Sequence, residues 1–220
     1  MLFRSEAFGL NVAAHLGYHD TGTLVIPRFD RSVVEGAVLL HGQESLVSAL
    51  GIAQYGYLGY HEDYLAMIRA VSADPAADTL EYVLRDLLNA AMGNPDNHGR
   101  NTALTKHADG GIHLAPLYDF APMRLSASDI GRSTRWRCLQ GHDLAGQWAA
   151  VCAAAAFDSL PAATIRAELL KRVAFLRDLP RLAGEYGVQP EVIGRACANH
   201  AAVAKAVEIM EERSCPGNAP

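Results

Sequence analysis

Lysine is scarce in this chain: only three stand among 220 residues, Lys106, Lys171 and Lys205. Nineteen basic side chains in all face twenty-four acidic ones, a formal net charge of −5. That balance lacks the basic surplus that grips a nucleic-acid backbone, so direct nucleic-acid binding is not expected. Long apolar runs are missing too. The longest, near Trp148 to Phe157, is bracketed by Asp143, Gln147 and Asp158. A spanning helix needs about 20 apolar residues, so no membrane segment is expected. The first residues, MLFRSEAFGLNVAAHLG, are interrupted by Glu6 and Asn11 and lack the apolar core of a signal peptide. Four cysteines (Cys138, Cys152, Cys197, Cys215) lie far apart with no C-x-x-C, which reads as reduced thiols of a cytoplasmic protein. The nine histidines include no H-E-x-x-H pair, and no G-x-S-x-G occurs, so neither zinc-protease nor serine-hydrolase chemistry has a motif.

What is present is an ordinary globular mix, half hydrophobic and one-fifth charged, long enough for one large domain or two small ones. Residues 5–16 suit a short amphipathic helix. Residues 22–29 (GTLVIPRF) suit a strand that ends or lies at an edge at Pro27, which cannot donate a ladder hydrogen bond. Residues 43–50 and 62–71 suit short helices. The clearest element is 77–92, where Leu80, Val83, Leu84, Leu87, Leu88 and Ala91 recur at helical spacing. Gly93 and Pro95 stop it. TALT at 102–105 and GIHLAPLY at 111–118 flank Asp109-Gly110-Gly111, a hairpin signal. Beyond about 142 the chain reads helical, with breaks at Pro161, Pro180 and Pro190, and the last residues, SCPGNAP, read as a frayed tail. The expected fold is mostly α with a few short strands (α+β).

Between the long helix and the hairpin lies 93-GNPDNHGRN-101, a dense polar loop. Tyr118-Asp119-Phe120 follows the hairpin. Asp96 and Asn101 stand five apart, the spacing of a kinase catalytic Asp and its metal-binding Asn, and Asp119-Phe120 occupies the place of Asp-Phe-Gly, with Ala121 replacing the glycine. Phosphoryl transfer needs a carboxylate near the attacking hydroxyl and hard oxygen ligands for Mg2+. Asn, Asp and Gly are also ordinary turn formers, so a purely structural loop remains the competing reading. A metal-hydrolase site of Asp96, His98 and Asp119 is a third, which leaves Asn101 without a role.

GNPDNHGRN followed by LAPLYDFAPM, with VIPRFDR at 25–31 and HGQES at 41–45, resembles the HipA-like serine/threonine kinases, the toxin halves of bacterial toxin–antitoxin pairs. The resemblance covers about residues 2–210. It implies a kinase-like C-terminal helical lobe, with 1–31 a remnant helix and hinge strand, 32–141 the catalytic-loop core and 142–213 a helical bundle. It implies ATP and Mg2+ as cofactors. Asp96 would be the catalytic base, and Asn101 and Asp119 the metal ligands. His98, Gly99, Arg100 and Tyr118 would lie around the phosphates, and Pro27, Arg28 and Phe29 would form the adenine-facing hinge. It implies a protein substrate and a HipB-like antitoxin as partners. No lysine precedes the hinge strand, so the ATP-gripping lobe is expected to be largely absent. The lone chain is then expected to be a weak or inactive kinase, or completed by a separate N-terminal lobe polypeptide. A different class stays open: a non-catalytic module that binds an antitoxin-like DNA-binding protein or another kinase lobe.

The scattered histidines (His41, His61, His98, His107, His113, His142) suggest no metal site. RSTRWRC at 132–138 sets Arg132, Arg135 and Arg137 around Trp136. It reads as a solvated basic turn with one buried Trp, or as a contact for an acidic protein or a phosphate.

Overall fold

The computed structural model describes residues 8–13, 17–18, 23–125, 131–140 and 147–210. Short strands dominate the first part: β1 (Gly17–Tyr18), β2 (Leu24–Val25), β3 (Arg31–Val34), β4 (Ala37–Leu40) and β5 (Gly42–Ser45). Then come α1 (Leu46–Ala49), β6 (Gly59–Tyr60), α2 (His61–Val71), α3 (Pro75–Ala91), β7 (Ala103–Lys106), β8 (Ile112–Leu114) and β9 (Thr134–Arg135). The rest is helical: α4 (Trp148–Ala155), α5 (Ala162–Lys171), α6 (Val173–Glu185), α7 (Pro190–Ala196) and α8 (His200–Glu208). The fold is therefore mostly α with a few short strands.

Helix α3 is the axis of the core. Asp74 caps it, its carboxylate accepting from the Ala77 N–H at 3.0 Å, and Pro75 occupies the first turn, where no N–H is needed. The apolar stripe buries Val83, Leu84, Leu87, Leu88 and Ala91 against α2 and α8. Asp78, Arg85 and Asp86 are buried as well, so α3 is enclosed on more than one face. The expected hairpin forms: β7 pairs antiparallel with β8 (Leu104↔Leu114), and β5 completes a three-stranded sheet on the other side of β7 (Ser45↔Ala103). Gly110 takes φ +90° in its turn, a conformation open to glycine.

Four expectations are corrected. Within 5–16 the described residues 8–13 are not helical. Val12 bridges Leu117, the Asn11 N–H reaches Glu81 at 3.2 Å, and Phe8 is buried against Phe175. Long-range contacts outweigh the local amphipathic pattern there. The strand expected at 22–29 is only Leu24–Val25 among the described residues, and the chain leaves it before Pro27. Residues 43–50 start as strand β5 and turn helical only at Leu46, because pairing with β7 claims Gly42–Ser45. Pro180 lies inside α6 rather than ending it. Burial of Val173, Leu176 and Leu179, on a helix packed against α8, outweighs a proline cost of about 3 kcal/mol.

Residues 31–40 form an antiparallel β3–β4 hairpin. Its turn, Glu35-Gly36, takes φ +51° and +81°. Val33, Val34, Val38, Leu39 and Leu40 are all exposed on it. Cys152 and Cys197 are buried thiols, and burial pushes the Cys152 thiol up to about 12. His142, Cys215 and the SCPGNAP tail lie outside the described residues.

Candidate active site

The end of α3 delivers the polar loop. Gly93 follows the helix at φ +57°, and the Asn94 N–H returns to the Asn89 carbonyl at 2.9 Å. The buried Asn94 side chain then works in two directions. Its Nδ2 donates to Asn89 Oδ1 at 2.8 Å, and its Oδ1 accepts from the Asp96 N–H at 3.2 Å. Asn101 closes the loop by donating from Nδ2 to the Asp96 carbonyl at 3.2 Å. That bond engages the amide NH2 and leaves the carboxamide oxygen as the group suited to a cation. Loop and sheet are joined where the Leu46 N–H meets the Thr102 carbonyl at 3.0 Å.

Asp119 arrives along the exit of β8. Arg85, buried in α3, donates to the Ala115 carbonyl at 2.7 Å and is paired with Glu81. The Leu117 N–H bonds the Asn11 carbonyl at 2.7 Å. Beyond these two pins Asp119 takes φ +52°, left-handed backbone that costs a non-glycine residue about 1 kcal/mol.

One pocket is lined by Asp96, Asn97, Asn101, Tyr118 and Asp119, together with Asn89, Asn94, His61, Tyr82 and Asp86. The residues expected to act together, Asp96, Asn101 and Asp119, therefore share a single polar cleft. His98 stands beside it, Nε2 lying 3.4 Å from Asp96 Oδ1. Gly99 packs so closely on Tyr64 that a Cβ would overlap the phenol ring. Tyr118 donates to the Arg100 carbonyl at 2.7 Å and stacks on Phe29 with centroids 5.9 Å apart. Burial pushes its phenol up to about 12, so it is a donor at neutral pH. Phe29 thus reaches the pocket through Tyr118. Pro27, Arg28 and Arg100 do not line it: Pro27 is exposed, Arg28 is paired with Asp30, and Arg100 donates to the Gln54 carbonyl at 3.2 Å.

A buried network adjoins the loop and was not anticipated. Asp86 pairs with Arg132 and accepts from Trp136 Nε1 at 2.8 Å. His61 lies with Nε2 3.7 Å from Asp86, its Nδ1 2.9 Å from the Tyr82 hydroxyl, and its ring stacked on Trp136 at 4.5 Å. Burial opposes ionisation of Asp86, but Arg132, His61 and the Trp136 N–H outweigh it and hold the carboxyl below its ordinary range. Burial lowers the His61 imidazole to about 4. His61 is therefore neutral at pH 7, and Arg132 is the working counter-charge. Asn97 links this network to the loop: its Nδ2 donates to the Thr134 carbonyl at 3.2 Å and its Oδ1 accepts from the Thr134 N–H at 3.4 Å. Asp86 lies off the apolar stripe of α3, so the periodicity carries no signal of it. RSTRWRC is thus divided: Trp136 is buried, Arg132 serves Asp86, and Arg135 and Arg137 are exposed.

Among the described residues no group of three His, Cys, Asp or Glu side chains could hold a metal. Oxygens of Asn101 and Asp119 would suit Mg2+, which commonly takes one or two protein oxygens and fills its octahedron with water and phosphate.

A mostly helical lobe thus carries this polar cleft at the mouth of a hairpin. The chain belongs to the HipA-like C-terminal domain family, whose model matches residues 2–175. It is 33% identical over 131 residues to a Sinorhizobium fredii (strain NBRC 101917 / NGR234) protein named "Putative kinase Y4mE", a match covering 52% of this chain and 31% of that protein. Its fold is similar to a chain of the Shewanella oneidensis MR-1 toxin–antitoxin complex of HipA, HipB and operator DNA. The TM-score is 0.66 at 19% identity, over 93% of this chain and 53% of that chain. The chain thus spans about half the length of the solved relative and about a third of the curated one.

Proposed function

We propose that this chain is the phosphotransfer lobe of an ATP-dependent serine/threonine protein kinase, the toxin component of a type II toxin–antitoxin system. The observation that supports this reading is the shared pocket of Asp96, Asn101 and Asp119. In it Asp96 orients the substrate hydroxyl and accepts its proton, on a backbone fixed by Asn94 and Asn101. Asn101 and Asp119 would hold Mg2+, which when bound offsets charge developing on the transferred phosphoryl group. His98 and Gly99 pass beside the phosphates, Tyr118 braces the loop against Phe29, and main-chain groups of Pro27–Phe29 meet adenine.

A HipB-like antitoxin and a protein substrate are the proposed partners, in the cytoplasm. No described helix is long and apolar enough to cross a membrane.

One observation favours the second reading, a non-catalytic binding module: Pro27 and Arg28 stand away from the pocket. Calorimetry with Mg2+ and ATP separates the two. Heat abolished by Asp119→Ala supports phosphotransfer. No heat, or heat unchanged in that variant, supports the binding module.

A further inference from the structure

We infer that the face formed by residues 55–60 and β9 docks a polypeptide segment rich in carboxylate side chains. Resting on the kinase reading, that segment is the one presented to Asp96.

Position is the first ground. Strand β6 pairs in parallel with β9, Tyr60 opposite Arg135, and the Gly59 N–H bonds the Ser133 carbonyl at 3.1 Å. Both sides of this small sheet are tied to the catalytic loop, through Asn97 to Thr134 and through Arg100 to the Gln54 carbonyl. The face is therefore held rigidly beside Asp96. Among the described residues β6 and β9 pair only with each other, and Asn97 already occupies the Thr134 N–H and carbonyl.

Exposure is the second. Tyr55 is 96%, Leu58 64% and Tyr60 42% exposed, an apolar and aromatic cluster on one short segment. Such amphipathic rings are favoured at protein interfaces.

Charge decides the partner. Of Arg100, Arg132, Arg135 and Arg137, Arg132 is neutralised by Asp86 and Arg137 by Asp63, while Arg137 also lies 4.4 Å over the Tyr60 ring. Glu62 accepts from the Arg137 and Cys138 N–H groups at 2.9 and 3.0 Å and keeps its charge. Arg100 and Arg135 remain exposed, with no carboxylate partner among the described residues. On a chain of net charge −5 these two guanidinium groups are complemented by an acidic segment.

The test is fluorescence anisotropy with the full chain, without nucleotide, against three labelled serine peptides flanked by Leu and by Asp/Glu, Gly/Ala or Lys/Arg. The acidic peptide is expected to bind at least about tenfold tighter than the basic one and to weaken as salt rises. Arg135→Glu should lower its affinity about tenfold, and Tyr55→Ala several-fold. Both residues are exposed, so neither change threatens folding. Equal binding of the three peptides would overturn the inference. So would an acidic peptide indifferent to Arg135→Glu, or tighter binding of a labelled single-stranded oligonucleotide. Peptide selectivity without Mg2+–ATP heat would keep the docking face and sink the kinase reading instead.

Discussion

Acidification should destabilise this protein through a single histidine. His61 is buried, and burial holds its imidazole at about 4, against about 6.5 in an unfolded chain. Above pH 6.5 both states carry it neutral. Between 6.5 and 4 the unfolded chain binds a proton that the folded one refuses, so stability is intact above the unfolded value and falls as pH drops. Each unit of displacement is worth 1.36 kcal/mol, so the full window takes away about 3 kcal/mol. That is a large share of the ~5–15 kcal/mol that holds a typical domain folded. The comparison is with His61→Gln, which cannot titrate. Urea unfolding followed by tryptophan fluorescence at pH 7.5, 6, 5 and 4.5 provides the free energies, and Trp136, stacked on His61, reports the site. The variant should be weaker at pH 7.5, from lost packing, and the gap should close by about 1.4 kcal/mol per pH unit below 6.5. Parallel curves would refute the reasoning. So would an NMR titration of the folded chain in which His61 ionises near 6.5.

Asp86→Asn should cost about 2–3 kcal/mol at pH 7. That is less than a fully buried pair would lose, because the Arg132 side chain is 26% exposed and can turn to water. A loss under about 0.5 kcal/mol in urea melts would show that the pair carries no stability. Gly99→Ala should lose about 2 kcal/mol by driving a methyl group into the buried Tyr64 ring, visible as a lowered melting temperature. An unshifted melt would mean the loop yields freely there. Asp119→Gly should leave stability equal or raise it by up to about 1 kcal/mol, since glycine removes the strain at φ +52°, while abolishing Mg2+-dependent nucleotide heat. Destabilisation by more than 1 kcal/mol would assign Asp119 a structural role.

Much of the site is legible in the sequence because its grammar is local. The stripe of α3, the stop at Gly93 and the Asp109-Gly110-Gly111 turn together place Asp96, Asn101 and Asp119 at one end of a helix and its following hairpin. What escapes are arrangements set by distant partners. Residues 8–13 form no helix because Leu117 and Glu81 claim them. Pro180 stays within α6 because burial on α8 outweighs its local cost. The Asp86–Arg132–Trp136 cluster joins positions separated by about half a hundred residues, and no periodicity can announce such a junction.

The three groups proposed for chemistry all come from the stretch between 96 and 119, on a helix end and one tight hairpin. Bringing them together closes only short loops, so the entropic cost of assembly is small and their contact order is low. This constellation can form early on the folding path, before α4–α8 dock. Insertions or permutations in the later helices should then alter when the lobe locks far more than where its donors stand.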